Sequence, residues 1–177
     1  FSFNVNGTTY HDGFTNAFAR ADVINSSFAY TDPSGSNALT VFTDALVAAN
    51  RQTTFVTGAG NSGPGTNSVG SPGAGYNAIT VASLGNANSY NSVSGSSGRG
   101  PQSFLNYSNG NAIIVAGVRA AVDIAAPGVG ITSAYFGGQS GGNNPSLSNS
   151  TPWVTNAGTY TDVSGTSFSA PIVAGGV

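Results

Sequence analysis

Two kinds of chemistry can be read into one loop. Residues 53–63, TTFVTGAGNSG, run from a short apolar stretch into a turn with glycines at 58, 60 and 63. That spacing fits the G-x-G-x-x-G of dinucleotide sites, where the backbone closes on a pyrophosphate at a helix N-terminus. The same turn presents Asn61, whose side-chain amide is a neutral donor suited to an oxyanion, or which simply tolerates left-handed turn geometry. The dinucleotide reading needs a helix after Gly63 and an acidic residue about 20 positions later. Instead PGTNSVGSPG follows, which cannot continue as a helix, and no Asp or Glu lies between Asp44 and Asp123. That reading fails both tests, and no nucleotide cofactor is expected.

The elements that must position the loop are short. Residues 22–28, DVINSSF, form a β-branched run ending in the turn cluster Thr31-Asp-Pro-Ser-Gly35. Apolar residues at 38, 41, 42, 45, 46 and 49 recur at helical spacing and predict an amphipathic helix from Ala38 to Ala49. A strand over Thr53 to Val56 follows at once. Residues 22–56 therefore read as a β-α-β unit, with parallel strands and a right-handed crossover. A further strand is expected at Ala78 to Leu84. Asn109-Gly110, between Phe104–Tyr107 and Ala112–Ala116, signals a hairpin. Strands are also expected at Val122 to Ala125 and Ile131 to Phe136, and residues 137–152, mostly Gly, Ser, Asn and Pro, read as a surface loop. With no repeat and no linker, the pattern predicts one α/β unit with a mostly parallel sheet.

Composition narrows the partners. The 177 residues are 39% hydrophobic and only 6% charged, and every charge is Arg or Asp. A net charge of −2 with four scattered arginines offers no stripe to neutralise phosphates, so nucleic acid is not an expected partner. The longest apolar stretch, Ala112 to Val118, falls far short of the roughly 20 residues of a membrane-spanning helix. Without cysteine there are no disulfides, no thiolate chemistry and no Cys-based metal sites. An Asn/Ser/Gly-rich surface without Lys suits a secreted or extracellular protein. The start at Phe1 without Met, and the apolar run reaching Val177, read as a segment of a longer protein.

Near the C-terminal end, SGTSFSAPIVAG (164–175) resembles the nucleophile motif of the subtilisin-like serine proteases, the subtilases. The resemblance implies that Ser167 stands at the N-terminus of a buried helix, where it could be only a cap, and where the helix N-terminus favours developing negative charge. Gly165 would then allow the tight turn before it, and the small residues Ala170, Ala174 and Gly175 would let that helix pack closely. Other segments resemble that family in its own order. They are AGNSG (59–63) for the oxyanion loop, SVGSPG (68–73) for the floor of the substrate pocket, AITVA (78–82) for the next strand, and VDIAAPG (122–128) for a turn. DVINSSF (22–28) is similar to the strand lining the cleft, with Ser27-Phe28-Ala29 where the family usually has Ser-Leu-Gly.

The resemblance covers most of residues 20–177 and implies the C-terminal part of a catalytic domain. It implies a three-layer α/β fold, a mostly parallel sheet flanked by helices, incomplete in this chain. Residues 1–177 would be a partial peptidase domain, with the Asp- and His-bearing part upstream and further helices downstream. Ser167 would be the nucleophile of a serine endopeptidase, and Asn61 with the Ser167 N–H would hold the oxyanion. Ser27, Phe28 and Ala29, with Gly58, Ala59 and Gly60 opposite and Gly70 beneath, would bind substrate. A side-chain-free Gly70 and uncharged walls imply a deep pocket for a large apolar side chain, disfavouring Lys and Arg unless Gly70→Asp supplied a partner.

The departures are as informative. The family's Asp motif, D-[ST]-G, and its His motif, H-G-T-H-V-A-G, are not in the sequence. The one histidine, His11 in Thr-Tyr-His-Asp-Gly, lacks the small-residue helical setting and reads as a surface-loop residue. Its neighbour Asp12 is no relay, because adjacent side chains diverge. Ser167 is not a lipase-type elbow, since G-x-S-x-G would need Gly at Ser169. Asp123 reads as a structural acceptor. The aspartates show no calcium-loop spacing, so no cofactor is expected and metal binding is left open. Expected partners are polypeptide substrates and the rest of the same domain. The alternative is a non-catalytic binding module or pseudoprotease fragment that keeps the fold.

Overall fold

The computed structural model describes residues 7–86, 89–106, 113–134, 152–155 and 158–177. Along the chain come α1 (Gly7–Phe18), β1 (Val23–Ser26), β2 (Tyr30–Thr31), α2 (Ala38–Ala49), β3 (Thr54–Gly58), β4 (Gly70–Ser71) and β5 (Ile79–Asn86). After them come β6 (Ser89–Val93), β7 (Gln102–Asn106), β8 (Ile113–Arg119), β9 (Ile124–Pro127), β10 (Ile131–Ala134), β11 (Pro152–Thr155), β12 (Gly158–Val163) and α3 (Thr166–Ala174).

The β-branched and aromatic runs form one sheet in which β1, β3, β5 and β9 are parallel neighbours and β6 returns antiparallel along β5. On β5, the Val81 and Ser83 carbonyls accept from Ala59 N–H at 2.9 Å and Ser94 N–H at 2.8 Å. Carbonyls two residues apart point the same way, so β6 continues the edge that β3 leaves. The Thr80 and Leu84 carbonyls serve the opposite edge, accepting from Asp123 and Gly128.

Alternation along the strands assigns the two faces. Ile24 and Phe55, paired in register, pack with Phe14, Phe18 and Ala78 beneath α1 and α2. Val56, Val81 and Ala126 turn the other way and meet Ala170 of α3. Helices on both sides of a mostly parallel sheet make the expected three layers.

α2 spans the expected residues. Its N-terminus is capped by Asn37, whose side chain accepts from Leu39 N–H at 2.9 Å. The buried Asp32 carboxylate adds bonds from Ser36 N–H, Asn37 N–H and the Thr40 hydroxyl. α1 corrects the loop reading of its segment. Phe14, Ala17 and Phe18 supply a core-facing stripe at helical spacing that the flanking glycines and polar residues obscure. β9 begins at Ile124 and not Val122, because Asp123 uses both its N–H and its carboxylate on the backbone of Thr80, at 3.0 and 2.8 Å. The hairpin is present as β7 and β8, while its Asn109-Gly110 turn lies outside the described residues. The expected 137–152 loop also lies outside them, except for Pro152 at the start of β11. A small β10–β12–β11 sheet and the two-residue ladder β2–β4 complete the described architecture. No helix among the described residues is long and apolar enough to cross a membrane.

Candidate functional site

The site forms where the C-terminal ends of β1 and β3 meet the N-terminus of α3. Gly165 makes this junction possible. Its φ of 142° is a region L side chains rarely adopt, and Asn61 lies against the position a Cβ would take. As Gly165 caps α3 without a side chain, the first N–H groups of the helix must find other partners. Thr166 N–H donates to Asn61 Oδ1 at 3.0 Å, and Phe168 N–H to the Gly165 carbonyl at 3.1 Å. Ser167 N–H, between them, has no partner among the described residues.

Thr166, in the nucleophile-like motif but given no role from sequence, binds the two loops together. Its buried hydroxyl accepts from Gly60 N–H at 3.1 Å and donates to Asn61 Oδ1 at 3.2 Å. A backbone N–H can only donate, so the atom of Asn61 that receives it must be the oxygen. Asn61 Nδ2 is therefore the free end of the amide. Asn61 itself is exposed, and Nδ2 has no partner among the described residues.

Ser167 is half-buried, and its Oγ donates to the Ser27 carbonyl at 2.8 Å. Ser27 Oγ donates back to the Ser167 carbonyl at 2.9 Å and accepts from Asn25 Nδ2 at 2.8 Å. This reciprocal pair spans 140 residues and joins the end of β1 to α3. Sequence reading placed Ser27 in the cleft wall but missed both the pairing and Asn25.

Beside the pair lies a pocket of ≈ 330 Å³. Of the residues expected to bind substrate, Ala29, Gly60 and Gly70 line it, together with Asn61. Ser27, Phe28, Gly58 and Ala59 do not. The Phe28 ring packs on Phe14 and Tyr30, at 6.2 and 5.8 Å between centroids, on the α1 side. Gly58 lies against Thr166, and Ala59 is fully buried, its carbonyl accepting from Gly70 N–H. Val69, within the 68–73 segment likened to the pocket floor, lines it too, as do Asp32 and Asn67, which were given no such role from sequence. Asp32 lies outside the three segments read as uncharged walls, and its carboxylate oxygens are taken by the α2 N-terminus.

The loop after Gly63 runs to β4 without a helix, as its sequence predicts. His11, expected in a loop, sits on α1, exposed, bonded to Asp12 at 3.1 Å and stacked on Phe42 at 4.9 Å. α1 and α2 lie on the face of the sheet opposite α3, so His11 is not within reach of Ser167. Among the described residues, no three His, Asp or Glu side chains gather to hold a metal.

No curated protein matches the chain. Among solved structures, S41 Psychrophilic Protease superposes with a TM-score of 0.58 at 25% identity, over 98% of this chain and 50% of its own. Fervidolysin from Fervidobacterium pennivorans, a keratinolytic enzyme related to subtilisin, gives 0.53 at 26% identity, over 95% of this chain and 21% of its own. Sphericase shares the fold with a TM-score of 0.54 at 24% identity, over 94% and 44%. The chain thus spans half the length of the first of these, or less of the others. The sequence pattern of the Subtilase family matches residues 4–177, the whole stretch that builds this junction and pocket, and the chain belongs to that family.

Proposed function

We propose that this chain carries the nucleophile, the oxyanion donors and the side-chain pocket of a serine endopeptidase. Ser167 Oγ attacks the scissile carbonyl carbon while a base removes its proton. The carbonyl oxygen becomes an oxyanion held by Asn61 Nδ2 and Ser167 N–H. Collapse expels the amine with a proton returned by the base, leaving an ester on Ser167 that water hydrolyses by the same route. The observation that carries this reading is the fixed Asn61 amide. Its oxygen is tied to Thr166, and among the described residues neither its nitrogen nor the Ser167 N–H has a partner. Two donors set in advance stabilise charge without reorganising during the reaction.

The base and its orienting carboxylate then come from a further segment of the same domain. In the described residues the Ser167 proton rests on the Ser27 carbonyl. That same bond favours a second reading, a non-catalytic module that retains the fold for binding. Reaction of the full-length protein with a fluorophosphonate separates them: adduct on Ser167, absent in Ser167→Ala, supports the endopeptidase, and an inert Ser167 supports the module. A location outside the cell belongs to the first reading, supported by a surface rich in Asn, Ser and Gly without Lys. Fractionation of the native source tests it.

A further inference from the structure

The pocket beside Ser167 is held from outside by a segment that contributes no lining residue. Its rim, residues 67–69, is zipped to residues 99–103. Asn67 N–H donates to the Pro101 carbonyl at 3.1 Å, Ser68 N–H to the Arg99 carbonyl at 3.1 Å, and Ser103 N–H to Asn67 Oδ1 at 2.7 Å. At the centre, Gln102 is fully buried. Its Oε1 accepts from Val69 N–H at 3.3 Å, and its Nε2 donates to the Val69 carbonyl at 3.1 Å and the Asp32 carbonyl at 2.5 Å. Val69 and Asp32 both line the pocket, so one side-chain amide ties two lining segments together. Arg119, facing Gln102 across the hairpin, donates to the Ala74 and Gly75 carbonyls and stacks 4.0 Å over Tyr76. The base of the hairpin therefore grips both ends of the 69–76 loop, which includes Gly70.

We infer that Gln102 is a positioning residue for specificity: it fixes the spacing of the Asp32 and Val69 walls and so sets which side chain the pocket accepts. This rests on reading the pocket as the site of a substrate side chain. The physical reason lies in the environment of the amide. A buried amide with three backbone partners cannot trade them for water, so the walls are locked at the spacing that satisfies all three. Removing the amide while keeping its bulk frees the walls without opening a large void. A pocket with mobile walls loses contact with a large apolar side chain. A glycine, which contacts no wall, is indifferent.

The test measures binding in the full-length protein carrying Ser167→Ala, so that peptides are not consumed. Short peptides ending in Gly, Ala, Leu or Phe are titrated calorimetrically with and without Gln102→Met. The expected result is preference for Leu and Phe over Gly, with Gln102→Met weakening the Leu and Phe peptides about tenfold and the Gly peptide little. In the parent with Ser167 intact, Gln102→Met should leave the rate of fluorophosphonate labelling within about twofold, because that small probe does not fill the pocket. Equal loss on every peptide, no loss on any, or no side-chain preference before substitution overturns the inference. Should Gln102→Met not fold, Gln102→Glu keeps the acceptor for Val69 N–H and lacks the donors. It is expected to show the same selective loss, and a uniform loss again overturns the inference. Failure of the endopeptidase reading shows separately, as a Ser167 inert to fluorophosphonate in a protein whose peptide preference still depends on Gln102.

Discussion

Asn61 and Gly70 illustrate how a single residue type is tied to its surroundings. Thr166 occupies the Asn61 oxygen, and the amide nitrogen has no partner among the described residues. An interaction made only with the transition state raises kcat without changing ground-state binding. Asn61→Ala in the full-length protein is expected to lower kcat by about 10²–10³ with KM nearly unchanged, a range carried over from removal of the oxyanion amide in subtilisin. Steady-state kinetics checks this, and a change confined to KM would reduce Asn61 to a loop-shaping role. Gly70 carries the opposite lesson. The expectation that Gly70→Asp would create a preference for basic side chains meets the β2–β4 ladder, where a Cβ would stand 2.6 Å from the Tyr30 carbonyl and 3.0 Å from the Ala29 Cβ. Backbone cannot yield as a flexible side chain can. Gly70→Asp is therefore expected to lower the melting temperature without conferring Lys or Arg preference, as thermal unfolding and a peptide library would record.

At the scale of elements, the sheet separates support from chemistry. Neighbouring residues on β1 and β3 face opposite layers, so Phe55 belongs to the α1–α2 core and Val56 to the α3 core. Phe55 is 1% exposed and its ring meets Phe14 at 5.8 Å and Phe18 at 5.7 Å. Phe55→Ala is expected to cost about 3–5 kcal/mol in denaturant unfolding, the range for emptying a buried aromatic site. The register Ile24↔Phe55 makes the loss felt by β1 as well. β1 leads directly into Ser27, so the expected secondary effect is weakening of the Ser27–Ser167 pair. A loss well under 1 kcal/mol would mean that α1 is not docked on the sheet as described.

For the molecule as a whole, the described chain holds the Ser167 hydroxyl, the Asn61 amide proposed as an oxyanion donor and the pocket, while its histidine lies on the far side of the sheet. A serine hydroxyl without an adjacent base is a weak nucleophile at neutral pH. The 177-residue chain alone is accordingly expected to show no appreciable fluorophosphonate labelling of Ser167, followed by mass mapping. Rapid labelling of the isolated chain would require a base among its own residues and would sink the two-part reading of the site. Much of this was legible in the sequence because it is local. The Ala38–Ala49 helix follows from apolar spacing, and the parallel β1–β3 pair from a helix between two β-branched runs. The helix start at Ser167 was legible through the resemblance of residues 164–175 to the subtilase nucleophile motif. What the tertiary structure decided depends on contacts between distant positions. Thr166 fixes the Asn61 amide across 105 residues, Ser27 and Ser167 pair across 140, and Gln102 reaches Asp32 across 70. A hydrogen bond is directional, and its partner is whichever group the fold delivers within about 3 Å, so local sequence shows that a residue can donate or accept but not to what.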